Sequence, residues 1–193
     1  MKKSYDCIIV GIGGQGTILA SNVLGDACVI EGRHVSGAET HGMSQRGGSV
    51  ETHIRIDGRH GSLIAPGTAD LLISFDILEA LRYRHFVKSD GIMIVNREMV
   101  VPTSVFSNKQ PIPKIEDVES ELKRGTQKII MIDAAVLAAK AGSPLSVNIV
   151  LIGAASHILP LASNSIAEAV KRNVPPKTIE INLKAFELGK NSV

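Results

Sequence analysis

An apolar run, Tyr5-Asp6-Cys7-Ile8-Ile9-Val10, leads directly into Gly11-Ile12-Gly13-Gly14-Gln15-Gly16. The Ile/Val-rich run reads as a short buried strand, and Gly11, Gly13 and Gly16 satisfy the G-x-G-x-x-G spacing. From Thr17 to Ile30 the apolar residues Ile18, Leu19, Val23, Leu24, Ala27 and Ile30 keep helical spacing, with Gly32 as a stop. Strand, glycine turn and helix form the first half of a βαβ unit, which directs the rest of the chain toward an α/β fold.

The remaining pattern continues that alternation. A second strand is expected near Arg33 to Ala38, then an aperiodic polar loop through Glu39 to Gly48. Val50, Thr52, Ile54 and Ile56 alternate with Glu51, His53, Arg55 and Asp57, the period of a half-buried strand, and Asp57-Gly58 marks a turn. Leu71 to Ser74 is a strand, followed by a helix that Asp76 caps and Glu79 answers, running to Lys88. Gly91 to Val95 is a strand, and Pro102, Pro111 and Pro113 interrupt a long surface loop. Then come a helix from Glu116 to Arg124, a strand from Lys128 to Ile132 and a helix from Asp133 to Ala141. The last third is helical: Val147 to Leu159, a capping box at Ser165 to Glu168, and a terminal helix after Pro175-Pro176 with Ile179, Leu183 and Phe186 inward. This predicts a Rossmann-like, mostly parallel sheet with helices on both faces and a hairpin added near residues 49 to 64, in one domain over residues 1–193.

Composition narrows the function. With 21 basic and 19 acidic side chains scattered along 193 residues, nucleic acid and anionic membrane are not the expected partners. Aromatic residues make up 3% and Trp is absent, which argues against base-stacking platforms. No export signal is read at the N-terminus and no apolar run is long enough for a membrane span, so a cytoplasmic protein is expected. The two cysteines, Cys7 and Cys28, fall in the first strand and helix, where free Cys acts as a small buried hydrophobe. They cannot supply the roughly four ligands of an iron-sulfur cluster, and the histidines show no zinc spacing, so no metal ligand is assigned. His53, His60 and His85 read as solvated, and His157 as a core or interface histidine. There is no G-x-S-x-G, P-loop lysine or H-E-x-x-H, and no catalytic residue is assigned.

Two segments could bind a ligand. In the first, Gly11, Gly13, Gly14, Gln15, Gly16 and Thr17 offer a tight turn and helix N–H groups to an anion; alternatively, the glycines only let the helix pack on the sheet. A nicotinamide dinucleotide would also need an acid near the end of the second strand; Glu31 looks helical and Glu39 sits at the loop edge. In the second, His41, Ser44, Gln45, Arg46, Gly47 and Gly48 combine donors, a cation and glycines. This loop holds an anion, makes a subunit contact, or does both. Asn148 could support a neighbouring loop by hydrogen bonds.

Gly11 to Gly16 followed by His41-Gly42-Met43-Ser44-Gln45-Arg46-Gly47-Gly48-Ser49 resembles the gamma-type subunits of 2-oxoacid:ferredoxin oxidoreductases, the pyruvate/ketoisovalerate gamma family, with the indolepyruvate-oxidising members the nearest likeness. The resemblance extends over essentially the whole chain, including the Asn148 to Gly153 segment. It implies a complex that decarboxylates a 2-oxoacid on thiamine diphosphate and passes electrons through iron-sulfur clusters to ferredoxin, releasing an acyl-CoA. It further implies that thiamine diphosphate, magnesium and the clusters sit on a larger partner subunit, because this chain also lacks the G-D-G with a downstream Asn that holds them. Coenzyme A is the co-substrate these two loops could contact. An isolated chain can pair with itself through a surface meant for the missing subunit. The rival readings are a free-standing NAD(P)-dependent dehydrogenase and a regulatory nucleotide-binding module.

Overall fold

Neighbouring residues of the first strand serve two separate cores. Cys7 and Ile9 join one apolar cluster and Ile8 and Val10 another, as the period-two pleat of a strand buried on both faces requires. The computed structural model describes residues 4–41, 48–58, 61–101, 105, 111–125 and 127–193. Among these, β1 (Tyr5–Ile12), β2 (Val35–His41), β3 (Ser49–Ile56), β4 (Ala69–Ser74), β5 (Val87–Asn96) and β6 (Lys128–Ile132) form one sheet in the order β2-β3-β1-β4-β5-β6. β1, β4, β5 and β6 are mutually parallel, while β3 runs antiparallel to both β1 and β2.

The larger core lies under α1 (Thr17–Ile30), α4 (Ala134–Ala141), α5 (Val147–Ala155), α6 (Ser163–Asn173) and α7 (Ile179–Lys190). The smaller lies under α2 (Ile77–Tyr83) and α3 (Ile115–Leu122), where Ile77, Ala80, Val118 and Leu122 meet Leu72, Met93 and Val95. α5 is buried from Asn148 to Ala155, and it packs on α7 through two glycines. A β-carbon on Gly153 would run into the Phe186 carbonyl, and one on Gly189 into the Val150 carbonyl. Two buried arginines tie the remaining pieces. Arg33 grips the Asp57 carboxylate through Nε at 3.0 Å and Nη2 at 2.8 Å and reaches the Pro160 carbonyl. Arg55 holds Asp6 at 2.9 and 3.0 Å and donates to the Gly61 carbonyl at 2.6 Å.

The mostly parallel sheet with helices on both faces is as expected; several element assignments are not. The hairpin is β2 with β3, residues 35–56, instead of residues 49 to 64: after Asp57 the described residues up to 68 form no returning strand, and the Ile64 N–H instead meets His53. The helix after Asp76 ends at Tyr83 and passes through a 3-10 turn, Arg84–Phe86, so that Val87 and Lys88 begin β5. There the apolar Val87 serves the sheet, which overrides local helical spacing. The capping box at Ser165 to Glu168 lies inside α6, which starts at Ser163. α5 stops at Ala155, leaving His157 exposed, where its Nε2 lies 3.0 Å from the Lys190 carbonyl. His53, expected to be solvated, is 2% exposed. Among the described residues no helix is long and apolar enough to cross a membrane.

Candidate functional site

The two glycine-bearing segments meet. Ile12, the last residue of β1, pairs with Ser49, the first of β3, and one step further the Gly13 N–H donates to the Gly48 carbonyl at 2.9 Å. Because β1 ends where antiparallel β3 begins, both segments belong to the carboxyl edge of β1, the edge at which open α/β sheets bind ligands. Residues 42–47 lie outside the described residues, so the expectation for Ser44, Gln45, Arg46 and Gly47 carries over unchanged. His41 ends β2 opposite Val50.

Within the glycine turn the residues have separate jobs. Gly11 is tightly packed: a β-carbon there would stand 2.9 Å from Gln15 Oε1, 3.0 Å from Thr17 Cγ2 and 3.1 Å from Phe75 Cβ. Gln15 braces the turn, accepting the Ile12 N–H at 2.8 Å and donating through Nε2 to the Phe75 carbonyl at 3.4 Å. Gly16 is the N-cap of α1 with φ +87°, a left-handed conformation that disfavours a side chain. Thr17 is buried beneath it. The packing role, one of the two alternatives the sequence posed, therefore falls on Gly11.

Asn148 stands opposite Gly16. It is 4% exposed, in the first turn of α5, with Oδ1 accepting the Ile149 N–H at 2.9 Å and Nδ2 directed at Gly16. The N-termini of α1 and α5 thus converge across this pair. Gly16 gives α1 no side-chain cap and no acid stands in its first turn, while α5 continues from a 3-10 turn, Pro144–Ser146, and has its Ile149 N–H taken by Asn148. α2 differs: buried Asp76 caps it, Oδ1 accepting the N–H groups of Leu78 at 2.7 Å and Glu79 at 3.2 Å and Oδ2 that of Val100 at 2.6 Å. Burial pushes the Asp76 carboxyl up, against the pull of these three N–H groups. Asn96 stitches the neighbouring strand ends, donating to the Phe75 carbonyl at 3.2 Å and accepting the Ala134 N–H at 3.1 Å.

A buried polar network supports the junction from the α2 side. Ser49 donates to the Glu79 carboxylate and lies 3.0 Å from the Tyr83 hydroxyl. His53 accepts the Ile64 N–H on Nδ1 at 3.1 Å and donates from Nε2 to Glu51 at 2.5 Å, which fixes its tautomer. Burial raises the Glu79 carboxyl, opposed by the Ser49 hydroxyl and the Arg82 charge. Burial likewise raises the Tyr83 phenol, reinforced by the Glu51 and Glu79 carboxylates. Sequence reading gave Glu79 only a capping role and missed Tyr83 and Asn96; the signal available was that Ser49 directly follows the second glycine segment.

Among the described residues, neither acid considered for a ribose stands at the end of the second strand. Glu31 closes α1, with its carboxylate taking the Ala162 N–H at 2.7 Å, and Glu39 lies inside β2. Cys7 and Cys28 are both buried in the larger core, so these residues do not fit an iron-sulfur cluster.

An α/β scaffold with an anion-friendly carboxyl edge defines the class; comparison with known proteins defines the family. Residues 6–192 match the pyruvate ferredoxin/flavodoxin oxidoreductase family, and the chain belongs to it. It is 37% identical to the indolepyruvate oxidoreductase subunit IorB of Archaeoglobus fulgidus, over 95% of this chain and 92% of that one. Its fold is that of the pyruvate oxidoreductase subunit PORC of Thermotoga maritima, with TM-score 0.74, 21% identity, and coverage of 98% of this chain and 97% of that one. It also matches the 2-oxoglutarate:ferredoxin oxidoreductase of Magnetococcus marinus, a structure with 2-oxoglutarate, coenzyme A and succinyl-CoA bound. That match has TM-score 0.76 and 21% identity, and covers 100% of this chain but 31% of the longer one. The family resemblance carried by the two glycine segments is borne out, and the chain is part of a 2-oxoacid:ferredoxin oxidoreductase.

Proposed function

We propose that this chain is the small subunit of a complex oxidising indolepyruvate or another aryl pyruvate, and that its carboxyl edge receives the phosphates of coenzyme A. The observation carrying the reading is the Gly13–Gly48 contact beside Gly16 and Asn148. It brings two glycine-rich segments and the N-termini of α1 and α5 to one place, with that of α1 lacking a side-chain cap. The residues assigned to the ligand are Gly13, Gly14, Gly16 and Thr17 with His41, Ser44, Gln45, Arg46, Gly47 and Gly48, while Gly11 and Gln15 hold the turn. Thiamine diphosphate, magnesium and the clusters belong to a larger subunit, which supplies decarboxylation and electron transfer to ferredoxin. This chain's residues bind and orient the acyl acceptor and help exclude water from the reacting centre. We place the complex in the cytoplasm.

The relatives' names support the aryl pyruvate assignment. The test is anaerobic capture of the chain from its native cells, identification of co-purifying subunits, and assay of the complex with a panel of 2-oxoacids. Arg46→Ala should raise the KM for coenzyme A about tenfold, the size of one charge-assisted contact, while the 2-oxoacid KM stays unchanged. An unchanged coenzyme A KM would remove the ligand assignment, and capture without a thiamine-binding partner would remove the subunit assignment.

A further inference from the structure

β3 carries two faces of opposite character. Ile54 and Ile56 join the larger core, as residues of a buried strand should. The other face presents Ser49, Glu51, His53 and Arg55, which the register with β1 sets beside Ile12, Val10, Ile8 and Asp6. Ile8 and Val10 belong to the smaller core, yet on this face β3 offers that core no apolar side chain. Asp6 answers Arg55, and the other three residues join a polar network with α2 in which His53 and Glu79 are buried. Buried, hydrogen-bonded ionisable groups are weak stabilisers beside well-packed apolar ones, so the stability of the fold does not account for this network.

Its hydrogen bonds have a direction. His53 Nε2 donates to Glu51 at 2.5 Å, and the Glu51 carboxylate lies near the Tyr83 phenol. The Ser49 proton goes to Glu79, so the phenol is the donor in its 3.0 Å contact with Ser49. Glu79 and Tyr83, four residues apart, reach Ser49 from one face of α2. Ser49 in turn follows Gly48 directly. Gly48 has no side chain to hold its own peptide, and its carbonyl is coplanar with the Ser49 N–H. Whatever fixes Ser49 therefore aims the Gly48 carbonyl at the Gly13 N–H, 2.9 Å away.

We propose that Glu79 is a positioning residue for the acyl acceptor: acting through Ser49, it presets the Gly13–Gly48 junction, so that coenzyme A meets two glycine segments already joined. The inference rests on the ligand reading above. Presetting a binding segment removes the cost of ordering it when the ligand arrives, so the effect falls on the affinity for that ligand and not on the chemical step.

The experiment is steady-state kinetics of the assembled complex. Ser49→Ala should raise the KM for coenzyme A about fivefold, the size of one hydrogen bond, with kcat and the 2-oxoacid KM unchanged. Glu79→Leu should do the same, and the double variant should be no worse than either, because the two residues act as one unit. Glu79→Gln, which still offers Ser49 an acceptor, should recover most of the affinity. If Glu79→Leu does not assemble, Tyr83→Phe, which removes only the phenol hydroxyl, takes its place in the cycle with the same non-additive result expected. If the Ser49 and Glu79 variants match the parent while Arg46→Ala still weakens coenzyme A, the positioning assignment fails and the ligand reading stands. If Arg46→Ala also has no effect, both fail. Fully multiplicative losses, or an equal rise in the 2-oxoacid KM, overturn the proposal and leave the network a general support of the fold.

Discussion

Asn148 Nδ2 occupies the space a side chain at Gly16 would need: a β-carbon there would stand 2.5 Å from it. The backbone at Gly16 is also left-handed, φ +87°. Gly16→Ala should therefore cost about 2–5 kcal/mol, combining about 1–2 for the left-handed residue with about 1–3 for the displaced carboxamide. Asn148→Ala introduced alongside it should return the steric part only. Urea unfolding of the two single variants and the double variant measures this, and strictly additive losses would show that the pair does not share a contact.

Helical glycines should respond to alanine with opposite signs. Gly25→Ala meets open space and should stabilise the chain by about 0.5–1 kcal/mol. Gly189→Ala would drive a methyl into the Val150 carbonyl and should destabilise it by about 3 kcal/mol or more, since backbone cannot yield as a side chain does. Thermal melts of both variants decide it; equal shifts of the same sign would contradict the close α5–α7 packing.

Glu79 gives a pH signature. Its carboxyl is held above its ordinary range in the folded chain, mainly by burial. The folded state thus binds the proton more tightly, and the associated stability is present below the ordinary glutamate pKa and lost as pH rises through the raised one. Glu79→Gln removes this loss while keeping an acceptor for Ser49. The stability of the Gln variant relative to the parent should be higher at pH 7.5 than at pH 4.5. Asp76, shifted in the same direction, is common to both proteins and cancels. A stability difference that does not vary with pH would mean that Glu79 is solvated.

Both thiols should be inert in the folded chain. Burial pushes Cys28 up to about 11, and burial with the neighbouring Asp70 and Asp6 charges raises Cys7 further. Neither supplies thiolate at neutral pH. Iodoacetamide at pH 7.5 followed by intact-mass measurement should find no adduct until urea is added, and labelling of the native chain at the rate of a free thiol would disprove the packing around α1.

The parts legible in the sequence were those set by local periodicity. Lys128–Ile132 is a strand and Ala134–Ala141 a helix ending at Gly142, whose φ of +115° is the conformation that stops it. The errors came where a distant neighbour decided. Val87 was drawn into β5 by pairing with Ala69, and the hairpin partner of β3 proved to be β2, across a segment read only as a loop. The likeness to a family singled out both glycine segments, but the sequence contains nothing that places Gly13 beside Gly48, and their meeting was not anticipated. The network of Ser49, Glu79 and Tyr83 was invisible for the same reason, since its members lie 30 and 34 residues apart.

The antiparallel setting of β3 separates what this chain recognises from what keeps it folded. The span from His41 to Gly48 joins the edge strand β2 to β3, while the helices are anchored to one another through the packing of α5 on α7. The α5–α7 contacts at Gly153 and Gly189 involve no residue of that span. On the proposed reading, a duplicated copy could retune its hold on the acyl acceptor by rewriting a handful of adjacent codons, with the helical frame inherited unchanged.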